Sequence, residues 1–579
     1  MPRPEHPRPQ FQRPAWINLN GPWTFTFDPG RSGRERGLAD SRGFDREILV
    51  PFCPESQLSG VGHTDFIEAM WYHRRIEIPA DWAGRNVLLH VGGVDYEAEA
   101  YVDGRSAGVH YGGTVSFAMD ITALVEPGGT HDLVLRVHDD TRSGRQPGGK
   151  QSQAYDSHGC FYTRTTGIWQ TVWLEAMDPR GLADVHIVPD LDGGRLLITP
   201  TFRRTDRKGL SFRATARSGE ADVARAAVSA TQGGTLELQL VDPVAWRPGQ
   251  AHLYDLTLEV LNGETVIDRV GSYAGLRKVH IEGNRIYLNN RPLFFRSVLD
   301  QGFYPDGLWT APSDEALRGD IERSMAAGFN GARLHQKVFE ERFHYWADRL
   351  GYLTWAESSS WGGVPSDVTY SYSFLNEWRE IVRRSRNHPS IIAWTPFNET
   401  CDIPDLPTHH RTQIAAYDIC KDLDPTRPVN DASGYVHSHT DIFTVHTYAQ
   451  DPEALRADLT PTDTRPVWQN DPDRDAPYAG QPYIVDEYGG VKWNPADAGR
   501  TEGSWGYGET PQSLDEFYDR IAALTDVLLG LEHISGYTYT QLTDIEQEQN
   551  GVYFYDRSQK FDMARIRGVF SRKPNWAEI

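Results

Sequence analysis

The chain has few cysteines and no pattern among them. Cys53, Cys160, Cys401 and Cys420 are scattered over 579 residues without a C-x-x-C pair, which excludes a disulfide framework and a cysteine-based zinc site. Long apolar runs are also missing, so nothing has the length of a membrane-spanning helix. Met1 to Pro14 is rich in proline and arginine and lacks the apolar stretch of a secretion signal. A soluble cytoplasmic protein is the expectation, although an exported protein with a trimmed signal would leave the same picture. Positive charge is short as well: 58 Lys and Arg stand against 80 Asp and Glu, a formal charge of −22. Nucleic acid and anionic membrane are therefore poor partners. An acidic surface that keeps the protein soluble accounts for the charge.

Aromatic residues are plentiful, with 17 Trp and 26 Tyr. Most must fill cores, but Trp and Tyr faces also stack on sugar C–H groups. The length allows about three or four domains. From Trp16 to Met177 short alternating strands, such as Trp23-Thr24-Phe25-Thr26-Phe27, are punctuated by Gly, Pro and Asp. Helical periodicity is scarce there, and a β-sandwich of jelly-roll type is expected over 1–177. A second all-β block over 178–279 suits an immunoglobulin-like sandwich. Its strands carry no visible chemistry.

At about His280 strand-like runs begin to alternate with helical ones. Eight candidate strands cover 292–299, 331–335, 352–357, 391–399, 429–433, 442–448, 483–487 and 536–542. Helices are expected over 313–327, 339–350, 373–386 and 511–531, the first capped by Ser313. Together they predict a (β/α)₈ barrel over 280–579, whose site lies at the C-terminal ends of the strands. A doubly wound open sheet is the alternative, but no Gly-rich nucleotide loop follows the first strand. No cofactor is expected.

Those strand ends carry Asp300 and Gln301, His335, Glu357, Asn398 and Glu399, His446 and Tyr448, Asp486 and Glu487, and Gln541 with Asp544. One such residue would be a satisfied surface group; recurrence at the same end of many strands points to a site. Glycoside hydrolysis needs two carboxyl groups from different strands, one protonated to expel the leaving group and one ionised. Glu399 and Glu487 fit.

Five segments then resemble glycoside hydrolase family 2, the group of β-galactosidases, β-glucuronidases and β-mannosidases. Leu19-Asn20-Gly21-Pro22-Trp23 and Thr166-Gly167-Ile168-Trp169-Gln170 resemble the start and end of its jelly roll. Asn289-Asn290-Arg291-Pro292-Leu293 resembles the beginning of its barrel. Trp394-Thr395-Pro396-Phe397-Asn398-Glu399 is similar to its acid/base motif, and Val485-Asp486-Glu487-Tyr488-Gly489 to its nucleophile motif. The resemblance implies a retaining, exo-acting hydrolase in which Glu399 protonates the glycosidic oxygen and Glu487 forms a glycosyl-enzyme. It further implies that Asn398 holds the sugar 2-hydroxyl, Tyr448 tunes the nucleophile, and Arg333 and His335 support the carboxylates. An ordinary satisfied polar group is the competing account of Tyr448 and Arg333.

Departures from the family pattern bear on the sugar. The run after the first strand, Arg296-Ser297-Val298-Leu299-Asp300-Gln301, lacks a His-Glu pair, and Arg333-Leu334-His335 is one residue shorter than Arg-x-x-His. No Asn-x-Lys element for a uronate is present, because Lys492 and Asn494 stand in the wrong order. Asp300, Gln301, Trp309, Lys337, His446, Trp361 and Gln541 become candidate sugar contacts. The expected substrate is a galactose-type β-glycoside, with β-D-galactofuranoside ahead of the pyranoside. An α-L-arabinofuranoside, an arabinopyranoside or a β-glucuronide is the alternative. The loop 148–160 is expected to reach the barrel mouth, with Asp156 and His158 closing the pocket. No catalytic metal is expected, since Ser359 stands two residues after Glu357, where relatives place a His. A carbohydrate-binding protein that has lost activity is the different-class reading, an inverting hydrolase is a third, and a homo-oligomer is compatible with all of them.

Overall fold

The computed structural model describes residues 1–231, 233–494 and 504–579. Residues 16–177 form two antiparallel sheets face to face. Four strands lie in the order Trp16–Asn18, Val172–Met177, Asn86–Val91, Phe117–Asp120, and six in the order Arg46–Val50, Gly21–Phe27, Ala69–Glu77, Thr130–His138, Glu97–Val102, Arg105–Tyr111. In Gly21–Phe27 the large residues Trp23 and Phe25 point inward and Thr24 and Thr26 do not, as period-two alternation requires. They meet Tyr72, Leu89, Leu135 and Leu174 in one core.

A second sandwich, three strands against four, spans Leu182–Asp190 to Thr265–Ala274. Its core is Leu196, Ile198, Leu236 and Leu238 from one sheet, with Phe212, Leu256, Leu258 and Val260 from the other. Both sandwiches match the expected architecture.

The barrel strands are β1 (Phe295–Asp300), β2 (Gly331–Leu334), β3 (Leu353–Glu357), β4 (Ile391–Thr395), β5 (Ala432–Ser433), β6 (Phe443–Thr447), β7 (Tyr483–Gly489) and β8 (Ile534–Thr540). Seven of them form one parallel sheet in the order β4-β3-β2-β1-β8-β7-β6. The ring is completed at β5, where Phe397–Asn398, just beyond β4, pairs in parallel with Ala432–Ser433. Between β5 and β6 the closure runs through a side chain: Thr444 Oγ1 donates to Ala432 O at 3.2 Å and accepts from Gly434 N at 2.9 Å.

The helices are α1 (Asp314–Ala327), α2 (Glu341–Leu350), α3 (Val368–Ser385), α4 (Leu406–Leu423), α5 (Pro452–Leu459), α6 (Leu514–Gly530) and α7 (Met563–Phe570). No helix separates β5 from β6 among the described residues. Ser313 caps α1 by accepting from Ala316 N, as expected. α3 begins five residues before the expected start at Ser373, because Asp367 caps it and buried Tyr370 anchors the Val368-Thr369 turn. That turn is β-branched, so its own propensity hides the helix.

A three-stranded ribbon, Val279–Glu282, Arg285–Leu288 and Arg291–Leu293, packs its Val279, Ile286 and Leu288 against Leu353, Ile392, Ile442 and Ile484. These lie within the first two residues of β3, β4 and β7 or just before β6, so the ribbon plugs the N-terminal end and leaves the other end for chemistry.

The Arg-rich start of the chain ties these parts together. Arg3 donates to Glu340 Oε2 at 2.7 Å before α2. Arg13 pairs with Asp268 of the second sandwich at 2.8 Å and with Glu175 of the first at 2.9 Å, all three being buried. Removing one partner of such a cluster leaves uncompensated charge in a dry place. Arg13→Met should therefore lower the free energy of the first unfolding transition by about 3–5 kcal/mol. Urea unfolding checks this, and a loss under about 1 kcal/mol would show that the segment is not a tie.

Candidate active site

Glu399 stands on an unusual backbone. β4 is buried throughout, Pro396 interrupts it, and Glu399 follows with a φ of 44°, a left-handed conformation that glutamate seldom adopts. Its N–H donates to Ser433 O at 2.9 Å and fixes the turn. The side chain emerges 21% exposed, while neighbouring Asn398 stays buried.

Glu487, in buried β7, accepts from Arg333 Nη1 at 2.8 Å on Oε1 and from Tyr448 OH on Oε2. Tyr448 is positioned by Thr540 Oγ1 at 3.1 Å and by the parallel ring of Tyr507. Arg333 has more to do than hold Glu487. Its Nε donates to Glu357 Oε2 at 2.6 Å and its Nη2 to Asn398 Oδ1 at 2.5 Å and His335 Nδ1 at 2.9 Å. A guanidinium can only donate, so Nδ1 of His335 accepts and the ring is neutral. Burial and the nearby Lys150 and Arg333 charges hold the His335 pKa well below its ordinary value, in keeping with that tautomer. With its oxygen taken, Asn398 keeps Nδ2 buried and without a protein partner.

His446 joins the two glutamates. Nδ1 lies 2.8 Å from Glu399 Oε1 and 3.5 Å from Glu487 Oε2, while Nε2 meets Ser433 Oγ at 2.9 Å and Asp486 Oδ1 at 3.3 Å. Burial opposes its charge, but Glu487, Asp486 and Glu399 outweigh burial and push its pKa up to about 10. Burial likewise works to raise Glu487, and cationic His446 and Arg333 reverse it, holding that carboxyl well below the usual range. One atom each of Glu399, His446 and Glu487 lies within 4.8 Å of the others. The donor types suit a divalent cation, and binding one there would require His446 to give up its Nδ1 proton. Glu357 is engaged by Arg333 and by Gln336 N.

The structure therefore brings Glu399, Glu487, Asn398, Arg333, His335, His446 and Tyr448 together. Trp361 joins them, its Nε1 donating to Asn398 O at 3.0 Å. Gln301 and Gln541 bond to each other at 2.8 Å, and Gln301 reaches Tyr162 OH at 3.0 Å. Three expected contacts are engaged elsewhere. Lys337 Nζ donates to Gly302 O at 2.6 Å and Trp309 O at 2.7 Å, and burial lowers its pKa to about 7. Trp309 packs on Trp169 of the first sandwich. Asp300 accepts from Gly302 N at 2.9 Å, and burial raises its pKa to about 6. These three hold the loop after β1 and bond to neither glutamate.

The loop 148–160 reaches the barrel, with His158 at the cleft and Asp156 away from it. Asp156 is exposed, and its carbonyl accepts from Ser152 Oγ at 2.7 Å. His158 stacks on Phe161 and lines a cleft of about 490 Å³ beside Glu399, with Trp361, Val364, Pro365 and Phe397. Glu487 is not part of that lining. The loop also delivers Lys150, buried 4.6 Å over the Trp361 ring. Tyr162 and Glu548, hydrogen-bonded to each other, also escaped the sequence reading. Lys150 had one signal, a lone cation after Gly148-Gly149 in a loop long enough to cross; Glu548 had none.

A family model described as "Glycosyl hydrolases family 2, TIM barrel domain" matches residues 279–571, and one described as "Glycosyl hydrolases family 2" matches 181–277. The chain belongs to glycosyl hydrolase family 2. Within the family it is 24% identical over 440 residues to a β-glucuronidase of Paenibacillus borealis, covering 71% of this chain and 72% of that one. A β-galactosidase of Thermoanaerobacter pseudethanolicus is 24% identical over 66% of this chain and 51% of its own length. The family 2 chain thus spans about half of some relatives it matches, 46% in the case of a Formosa agariphila protein. The crystal structure of a Ruminococcus gnavus β-glucuronidase superposes with a TM-score of 0.81 at 18% identity, over 97% of this chain and 98% of that one, a likeness of fold.

The His446 cation sets a pH window. Its folded pKa of about 10 lies above the ordinary 6.5, so its stabilisation is complete below pH 6.5 and is lost as pH rises through 10. Between those values Tm of the wild type should fall more steeply than that of His446→Asn. Parallel Tm curves would contradict a charged His446.

Proposed function

We propose that this family 2 chain is a retaining, exo-acting glycosidase. The observation that carries the reading is the approach of a Glu399 oxygen and a Glu487 oxygen to within 4.8 Å of each other. Retaining enzymes hold their carboxyl groups about 5–5.5 Å apart, and inverting ones need about 6.5–9.5 Å for a water.

In the first step Glu487 attacks the anomeric carbon, kept ionised by Arg333 and His446. The bond to the leaving oxygen breaks as Glu399 gives that oxygen its proton, and a glycosyl ester of Glu487 forms. The cleft beside Glu399 receives the leaving group, which fits its contact with Glu399 but not Glu487. In the second step Glu399 takes a proton from water, the water oxygen bonds to the anomeric carbon, and Glu487 is released. Asn398 Nδ2, the unpartnered buried donor, is the group for the 2-hydroxyl, whose hydrogen bond strengthens as the oxocarbenium-like state develops.

For the sugar we propose a galactose-type β-glycoside, with β-D-galactofuranoside first. Support comes from the altered runs on β1 and β2 and from the absence of an Asn-x-Lys element in the sequence. A β-glucuronide is the second reading, favoured by the names of several relatives. A panel of nitrophenyl glycosides, read with the wild type, Glu399→Gln and Glu487→Gln, tests all of this. The galactofuranoside should be cleaved fastest, and each variant should lose at least about 100-fold in kcat while still folding. A clear preference for the glucuronide would overturn the choice of sugar. Wild-type rates in both variants would overturn the mechanism.

A further inference from the structure

The loop after β3, residues 358–367, supplies one wall of the cleft beside Glu399, and its backbone is fixed from behind. Ser371 Oγ of α3 and Thr412 Oγ1 of α4 each donate to Pro365 O at 2.8 Å, and Asp367 N donates to Val364 O at 2.9 Å. A Cβ on Gly363 would meet the Tyr370 ring at 2.2 Å, so the loop lies directly on α3. Phe397, buried at the end of β4, continues the wall and stacks on Phe374 of α3 with ring centres 4.3 Å apart. A wall held in this way stands before any ligand arrives, and a ligand need not order it.

This wall offers a ligand carbon. Its hydrogen-bonding groups are bonded within the protein. Ser360 Oγ accepts from Gln336 Nε2 at 2.9 Å and from Asn398 N at 3.2 Å. Trp361 Nε1 donates to Asn398 O at 3.0 Å, and Thr400 Oγ1 donates to Val436 O at 3.0 Å. The lining that remains is the rings and methyls of Trp361, Val364, Pro365 and Phe397, with the Phe161 ring 5.4 Å from that of Trp361. Gln153, His158 and Asp402 also line the cleft, and all three are exposed to solvent.

A second sugar in this cleft would bring a hydroxyl on nearly every carbon, and burying those without partners is costly. A flat apolar group would remove carbon surface from water on both itself and the wall, which is favourable in proportion to the area. At about 490 Å³ the cleft has the size of a small-molecule pocket. We propose that the leaving group of this enzyme is a flat, apolar alcohol, a phenol or a fused-ring alcohol, and not a second sugar. This rests on the glycosidase reading and names the substrate on the far side of the scissile bond. The bond from the anomeric carbon to the aryl oxygen breaks, that oxygen takes the proton of Glu399, and the phenol departs while the sugar stays on Glu487.

The test is steady-state kinetics on the full chain with three glycosides of the sugar cleaved fastest in the panel: the phenyl glycoside, the 2-naphthyl glycoside and a disaccharide with glucose as the leaving group. Phenol and 2-naphthol are of similar acidity, so a difference in kcat/KM between the first two reports contact with the second ring. The added apolar contact predicts kcat/KM about 5- to 10-fold higher on the naphthyl glycoside, with the disaccharide slowest. Val364→Asn puts an amide on the wall and should bring the naphthyl-to-phenyl ratio down to within about twofold of one, and Val364→Thr should lower it part of the way. The wild-type ratio decides by itself should neither variant fold. A wild-type ratio near one would overturn the proposal, as would a disaccharide cleaved faster than the naphthyl glycoside or an unchanged ratio in folded Val364→Asn. A wild type inactive on every glycoside in the panel would instead sink the glycosidase reading, and this inference with it.

Discussion

The fully buried guanidinium of Arg333, inside the ring of parallel strands, organises the site. It bonds at once to Glu357, Glu487, Asn398 and His335. Left alone, two carboxylates in such a dry place would take up protons. Paired with one guanidinium, Glu487 stays ionised, and the geometry of the fork fixes where Asn398 and His335 stand. Arg is suited to this because its donors lie in one rigid plane. His446 repeats the arrangement on the other side, placing a second positive charge between Glu487 and Glu399. Two cations keep one carboxylate ionised, while Glu399, lifted by its left-handed backbone, remains accessible to solvent.

Much of this could be read in the residues before any coordinates. Period-two alternation in Trp23-Thr24-Phe25 marks a sandwich strand, and the change of rhythm near His280 marks the barrel, because each reflects one buried face. That Glu399 and Glu487 stand together was legible since a carboxylate at the end of a buried apolar run is expensive unless it is paired or used. Other features depend on contacts far apart in sequence. Lys337 and Trp309 have the right types for sugar contacts, yet they tie the loop after β1 to itself and to Trp169. Lys150 and Glu548 come from a loop of the first sandwich and a loop after β8, and no local pattern announces that the two meet at the barrel mouth. The start of α3 was hidden for a simpler reason: tertiary packing of Tyr370 overrides the weak helix propensity of Val368 and Thr369.

The reaction and the sugar are thus written in different parts of the chain. In the proposed mechanism the strand ends of the barrel hold the acid, the nucleophile and their cations. The rim is shared with the first sandwich, whose loop reaches over the barrel on a backbone pinned at Gly148 and Gly149. Arg13 and Arg3 keep those parts in fixed relation from outside the site. Insertions in such a loop can change specificity without disturbing Arg333, which gives one fold room for several sugars.

The spacing of Glu399 and Glu487 is the centre of the account, and the anomeric form of the first product reports on it directly. With wild-type enzyme and a β-glycoside, proton NMR of the sugar at the earliest time points should show the β-hemiacetal, with the α-form appearing only by mutarotation. An α-hemiacetal formed first would mean a single displacement by water, and the assignment of Glu487 as nucleophile would fail.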